Sequence, residues 1–373
     1  MTGSHPTAGT ARSAGEAAER EAAAMRRAMP LQRLIGNGMD YADAHELHLR
    51  STAVEPWTAI CEDIGDRRRE RAATAAARSL TATARDNYLF ASAAFRFGQV
   101  PLPDSDERKH RLYRDLIACY AAAADLVGGI ERVEIKRPGG YLAGWLHLPD
   151  GVATPPVVIV AGGFDGWREE YDRGARALVE RGMAVLLTDG PGQGESRLFG
   201  GQFFPPEPAG LDDAWRSVVD RLSARGDLGP IGVWGNSMGG YLAARLAGKD
   251  ARIQAVCVNG GSDHPSEILD RYPRFIAKIQ ALYGVDDPGT AAALIRRHRL
   301  TPDDLHAIRC PALLLHGDPD QVFLLDSAER IHSGISSPDR TFLRWADGDH
   351  CIYNHTADKH FAVGDWFAQR LHS

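Results

Sequence analysis

Six short apolar runs, at 157–161, 184–188, 231–234, 253–258, 312–315 and 341–345, recur between stretches whose apolar residues fall at helical spacing. Runs that are mostly apolar in succession, rather than at alternate positions, read as strands covered on both faces. Strands alternating with helices pair in parallel through right-handed crossovers. This part of the chain is therefore predicted to be α/β, a doubly wound, mostly parallel sheet. In such sheets the reactive loops lie beyond the carboxyl ends of the strands. Just ahead of the runs, IERVEIKR and YLAGWLHLP flank Gly139 and Gly140 and alternate like an antiparallel pair.

Residues 13–128 read differently. Ala, Glu and Arg dominate, apolar residues return every three or four positions, and strand signals are absent. In RDNYLFASAAFRF, Tyr88, Ala91 and Phe95 share a face, and in the next helical stretch Leu112, Leu116, Cys119 and Ala123 share another. The organisation expected is a loose N-terminus at 1–12, a helical domain at 13–128, and a catalytic-type α/β domain at 129–373. The second domain carries a helical insertion at about 263–301 that forms part of a cap. At 373 residues the chain has length for two domains. Its net charge of −6, with no long basic run, argues against nucleic acid or an anionic membrane surface as partner. The 5 cysteines form no CxxC pair, and no apolar stretch is long enough to span a bilayer, so the expected compartment is the cytoplasm.

The chemistry concentrates in GVWGNSMGGYLAARLA, a G-x-S-x-G centred on Ser237 that directly follows one apolar run and directly precedes a helix. A strand-to-helix turn this sharp strains the serine position and lifts its hydroxyl clear of the sheet. A serine hydroxyl is a weak nucleophile near neutrality, so it needs a base, and the base needs an orienting acid. His350 follows the last apolar run in ADGDH, and Asp320 follows the preceding one in HGDPDQ, with Asp318 as the alternative acid. Asp326, Asp347 and Asp349 read as cap or turn residues. His355 and His360 fall in the terminal helix and read as solvated. An oxyanion needs preorganised N–H donors. Met238, after the serine, supplies one; Phe164, in the loop AGGFDGW, supplies the other, with Gly163 permitting its approach.

TDGPGQGES lacks the Lys-Ser/Thr ending of a phosphate loop and is no dinucleotide fingerprint, so it reads as a tight turn beside the pocket. No His/Cys/Asp/Glu group has metal-ligand spacing, and the chemistry calls for no cofactor. Candidate pocket residues are Gly163, Trp167, Tyr241, Tyr88 and Glu267. Asp263 and His264 are polar candidates beside them, and Phe203, Phe204 and Tyr272 are aromatic ones. Aromatic side chains of this kind suit a small, flat substrate better than a polymer backbone.

Taken in order, GGF-x-G-W-x-EE, DGPGQGES, GNSMGG, HGDPDQV and DGDHCIYN, behind NYLFASAAFRFGQ, resemble the α/β-hydrolases that carry an N-terminal helical domain. This group includes 2,6-dihydroxypseudooxynicotine hydrolase, fungal polyketide-shortening hydrolases and fermentation/respiration-switch-like proteins. The resemblance runs from about Leu31 onward. It implies Ser237 as nucleophile, Asp320 as acid, His350 as base, Phe164 and Met238 as oxyanion donors, and a helical domain that acts as a lid over the pocket. It also implies hydrolysis of a carbon–carbon bond next to a ketone, as in secondary metabolism, with ester hydrolysis or elimination of an acyl group as alternatives. A non-catalytic module on the same fold is the alternative of another class. The expected partner is a small-molecule substrate; a homodimer is left open.

Overall fold

A computed structural model describes residues 8–164 and 166–372. The chain divides into two compact units, Met1–Val127 and Gly128–Ser373. Of the N-terminal stretch expected to be loose, residues 1–7 lie outside the described residues. Residues 8–12 belong to the helix that continues to Ala28.

The first unit consists of α1 (Ala8–Ala28), α2 (Leu31–Gly36), α3 (Tyr41–Arg50), α4 (Trp57–Ala77), α5 (Thr81–Gln99) and α6 (Glu107–Val127). Its core lies where α5 packs on α4 and α6. Leu112, Leu116, Cys119 and Ala123 are all buried along α6, as are Ala91 and Phe95 on α5, while Tyr88 is half-buried. The Phe95 ring lies where a side chain on Gly65 would stand, 2.5 Å from an ideal Cβ, so α4 and α5 can approach only because position 65 is glycine. Polar pins complete the contact. Thr58 Oγ1 donates to Gly98 O at 2.8 Å, Trp57 Nε1 to Phe97 O at 3.0 Å, and Ser92 Oγ to Leu116 O at 2.9 Å.

The second unit is built on an eight-stranded sheet of order β1-β2-β4-β3-β5-β6-β7-β8. The strands are β1 (Ile130–Arg137), β2 (Gly140–His147), β3 (Val157–Ala161), β4 (Ala184–Asp189), β5 (Ile231–Asn236), β6 (Ile253–Asn259), β7 (Ala312–Gly317) and β8 (Arg340–Trp345). β2 is antiparallel to both β1 and β4, and every other pairing is parallel. All six apolar runs of the sequence are strands. The chain leaves β3 to one side for β4 and returns to its other side for β5, so the strand order reverses there and opens a crevice at the carboxyl ends of β3 and β5.

The helices of this unit are α7 (Asp172–Val179), α8 (Gly194–Leu198), α9 (Pro208–Ser223), α10 (Met238–Lys249), α11 (Ile268–Arg271), α12 (Ile276–Tyr283), α13 (Pro288–Ile295), α14 (Pro302–His306), α15 (Leu325–Gly334) and α16 (Thr356–Leu371). Val233 packs in one core with Leu242 and Ala243 of α10. Its neighbours Gly232 and Trp234 point to the other face, where α16 sets Phe367 against Gly232 and His360 edge-on to Trp234. His360 is thus packed rather than solvated, and burial lowers its pKa well below the usual value. Between Asp263 and Thr301 there is no strand among the described residues, only short helices joined by turns and loop, with Pro273 falling between α11 and α12. Among the described residues no helix is long and apolar enough to cross a membrane.

Candidate active site

Ser237 stands between β5 and α10 with φ 59° and ψ −126°, a left-handed conformation that costs a non-glycine residue on the order of 1–3 kcal/mol. Close packing enforces it. An ideal Cβ on Gly239 would lie 2.3 Å from Ala161 O, so only glycine lets α10 start against the end of β3. The Ser237 N–H donates to Asn259 O at 2.9 Å, which ties the turn to the end of β6.

Two further strand ends meet this hydroxyl. His350, after β8, has its Nε2 at 2.9 Å from Ser237 Oγ, and its Nδ1 at 2.8 Å from Asp320 Oδ2, after β7. Asp320 is fixed from its other oxygen, where Oδ1 accepts from Val322 N at 2.7 Å and Phe323 N at 3.1 Å. Asp318 points elsewhere, to Arg344 Nη2 at 2.7 Å on a half-exposed surface. Burial pushes the Asp320 carboxyl up, but the neighbouring His350 and the hydrogen bonds outweigh it and hold the group below the usual carboxylate range. Burial would lower the His350 imidazole, and the Asp320 carboxylate overturns this and raises it. A hydroxyl, an imidazole and a carboxylate in this series can move a proton off the hydroxyl and stabilise the imidazolium that results.

Gly163, after β3, lies close against Ser237: an ideal Cβ there would lie 2.8 Å from Ser237 Cβ and 3.0 Å from Oγ. Phe164 follows it, buried, with its ring edge-on to Phe275 at 5.4 Å. Met238 is the first residue of α10, where the helix leaves its leading N–H groups without intrahelical partners. Gly163, Phe164 and Met238 therefore gather at Ser237.

The remaining pocket candidates do other work. Tyr241 is fully buried in the core, and its hydroxyl stands 3.5 Å from His298 Nδ1. Glu267 is also committed: it accepts from Leu324 N at 2.8 Å and from Ser327 Oγ, and so pins the start of α15. Trp167 is buried at the head of the 3-10 turn Arg168–Tyr171, and Tyr88 belongs to the helical unit. Phe204 packs on Tyr283 and His298, while Phe203 is about half exposed. Tyr272 donates to Gln321 O at 2.8 Å, beside the acid. Asp263, His264 and Glu267 lie together, but Asp263 is paired with Arg330 and His264, and Glu267 is taken up by the start of α15.

Several residues that shape the site carry no sequence signal of their own. Asn259, fully buried, accepts from Ser237 through its backbone, and its Nδ2 donates to Cys351 O at 3.1 Å. Lys359 Nζ donates to the same carbonyl at 2.9 Å. These bonds hold Cys351 and Ile352 at φ 59° and 57°, a turn that aims His350 at Ser237. Beneath the β3 loop, the buried guanidinium of Arg168 meets Asp189 Oδ2 at 2.9 Å, Glu195, and Glu169 Oε1 at 2.9 Å. Glu195 also pairs with Arg132, and Trp145 Nε1 donates to Glu169 Oε1 at 2.9 Å. The acidic members of this network lie in the EE and DGPGQGES stretches, whose sequence alone reads as motif and tight turn.

Comparison with known proteins supports the α/β-hydrolase fold. Residues 154–286 match the family described as serine aminopeptidase, S33. The chain is 28% identical over 274 residues to 2,6-dihydropseudooxynicotine hydrolase of Paenarthrobacter nicotinovorans, covering 70% of each chain. It is 37% identical over 218 residues to the alpha/beta hydrolase gkaG of Penicillium citrinum, covering 55% of this chain and 50% of that one. The crystal structure of the 2,6-dihydroxy-pseudo-oxynicotine hydrolase superposes with a TM-score of 0.82 at 25% identity, over 91% of this chain and 95% of that one.

Proposed function

We propose that this chain, an enzyme of the α/β-hydrolase fold homologous to 2,6-dihydropseudooxynicotine hydrolase, is a serine hydrolase of small, largely apolar or aromatic ketones, acting in the cytoplasm. The observation that carries the reading is the series Asp320–His350–Ser237, at 2.8 and 2.9 Å, beside the Gly163 backbone. Ser237 Oγ adds to the substrate carbonyl as His350 Nε2 takes its proton. The oxyanion is received by the N–H groups of Phe164 and Met238. The bond to the neighbouring carbon then breaks with its electron pair going to that carbon, which a ring or second carbonyl must stabilise, and His350 returns the proton to it. Water, deprotonated by His350, frees the acyl group from Ser237.

The carbon–carbon specificity rests on the motif resemblance, and the same machinery would hydrolyse an ester, whose leaving group is the easier one. By the same resemblance the helical unit selects the substrate. Tyr88→Ala should then lower kcat/KM for an aryl ketone and spare a small acetyl ester; equal losses on both would remove that role.

The test of the central reading is Ser237→Ala, assayed against aryl ketones, β-diketones and acylated phenols. We expect the fold to be intact, fluorophosphonate labelling to vanish, and turnover to drop by about 10³ or more. Retained turnover in this variant would remove the covalent route. Turnover of peptides with none of ketones or esters would remove the substrate class.

A further inference from the structure

The segment DGPGQGES carries neither phosphate nor dinucleotide chemistry, yet it lies directly under the β3 loop. The side chain of this segment that reaches the near end of the loop, beside Ser237, is Gln193. Asp189 to Gln193 form a turn after β4 in which the Gln193 N–H donates to Gly190 O at 3.1 Å. The Gln193 side chain, almost wholly buried, then spans from turn to loop. Its Nε2 donates to Gly162 O at 2.7 Å and to Gly163 O at 2.9 Å, and its Oε1 accepts from Gly190 N at 2.9 Å. The reverse orientation of the amide would set its oxygen against two carbonyl oxygens and its NH2 against an N–H, so the partners themselves fix which way it points.

The two carbonyls matter because of the N–H that shares a peptide with one of them. Gly163 O belongs to the peptide whose N–H is that of Phe164, and a peptide unit is planar, so holding the oxygen holds the direction of that N–H. Gly162, Gly163 and Gly166 have no side chains to pack, and besides Gln193 the loop is held here by the longer Gly166 N–H to Gly163 O bond at 3.3 Å and by the Phe164 ring against Phe275. Its far end is anchored separately, where Arg168 N and Nη1 donate to Asp189 Oδ1 and Oδ2 at 3.1 and 2.9 Å. The β4 turn therefore clamps the β3 loop at both ends, and the Gln193 end is the one next to Ser237.

We propose that Gln193 is a positioning residue that sets the oxyanion-binding N–H of Phe164 by fixing the Gly162 and Gly163 carbonyls. It touches neither substrate nor Ser237. The inference rests on the proposed serine-hydrolase reading, in which Phe164 N–H receives the oxyanion. A donor that is preorganised towards developing negative charge acts on the transition state and not on the bound substrate. Loosening it should therefore lower kcat and leave KM nearly untouched.

The experiment uses the full chain with Gln193→Glu and Gln193→Met. The first keeps the shape and the acceptor for Gly190 N–H and replaces the donor by a charge facing two carbonyls. The second keeps the length and removes both functions, and it decides the matter if the first fails to fold. Each variant is assayed with p-nitrophenyl acetate for kcat and KM, with phenylboronic acid, whose adduct on Ser237 is tetrahedral and anionic, for inhibition, and by thermal melting. We expect kcat to fall by roughly 10- to 100-fold, less than the 10²–10³ caused by outright loss of an oxyanion donor. KM should stay within about threefold and the boronate should weaken by a factor similar to the fall in kcat.

Parallel weakening of KM and boronate binding, or kcat and boronate affinity both within about twofold of the unsubstituted enzyme, would overturn the proposal. Ser237→Ala and fluorophosphonate labelling of the unsubstituted enzyme run alongside. Labelling with a dead Ser237→Ala but unaffected Gln193 variants removes this inference alone. An unlabelled enzyme with an active Ser237→Ala removes the underlying reading and this inference with it.

Discussion

Replacing Asp320 by Asn tests the acid assignment through the hydrogen bonds that surround it. The carboxylate uses Oδ1 to accept from two backbone N–H groups and Oδ2 to accept from His350 Nδ1. An amide has only one oxygen to offer. Turning it towards His350 would leave the N–H groups of Val322 and Phe323 facing an NH2, at about 1–3 kcal/mol for each buried donor left unpaired. The amide oxygen should therefore stay on the backbone, and its NH2 should face His350 Nδ1. The imidazole must then accept at Nδ1 and carry its proton on Nε2, the tautomer that cannot take a proton from Ser237. The expected loss in kcat is about 10³–10⁴, or roughly 4–5.5 kcal/mol in the barrier, with a melting temperature close to that of the unsubstituted enzyme because the shape is kept. Asp318→Asn, which only breaks a surface pair with Arg344, should change kcat less than about threefold. Steady-state kinetics on a chromogenic ester reads both variants. A loss under tenfold for Asp320→Asn, or a larger one for Asp318→Asn, would refute the argument.

The pH profile is set by the raised His350 pKa. The base must be unprotonated, so kcat/KM should fall as pH drops through a value above the ordinary 6.5, and Asp320→Asn should move that limb to lower pH; a limb below 6.5 in the unsubstituted enzyme would contradict the carboxylate's influence. Gly163→Ala would put a methyl group 2.8 Å from Ser237 Cβ, so the loop or the serine must shift, and kcat should fall about 100-fold with little change in melting; unchanged kcat would mean the loop yields freely. Arg168→Met leaves the buried Asp189, Glu195 and Glu169 without their shared cation and should cost about 3–5 kcal/mol, seen as a drop of about 6–20 °C in melting temperature; a drop under about 2 °C would show that the network contributes nothing net.

Most of the architecture was legible because its signals are local. An apolar run such as 157–161 can only be a covered strand, and the turn around Ser237 needs small residues at fixed offsets from a single serine. The residues that meet Ser237 were legible for a related reason. In a doubly wound sheet, function collects at strand ends, and Asp320 and His350 each follow one. Asp320 could be chosen over Asp318 because it lies further along the loop, and the structure places its carboxylate, not that of Asp318, on His350.

Contacts between loops far apart in the chain left no such trace in the sequence. Asn259 and Lys359 converge on the carbonyl of Cys351, and the left-handed turn they hold includes Ile352, a β-branched residue for which that conformation is unfavourable. No spacing rule anticipates such a meeting. Tyr241 and Glu267 show the opposite case: each has pocket chemistry, and the partner that satisfies its buried hydroxyl or carboxylate, His298 or the start of α15, is one that only the fold brings near.

The same long-range fastening extends to the helical segment after β6. Arg271 and Tyr272, at the end of α11, reach the backbone oxygens of Asp320 and Gln321, while Phe275, four residues after Arg271, packs its ring against Phe164. One short stretch thus touches both the acid loop and the oxyanion loop. If Asp320 and Phe164 act as proposed, a substitution at 271–275 displaces both their loops, so changes in specificity there should arrive with changes in kcat rather than in KM alone.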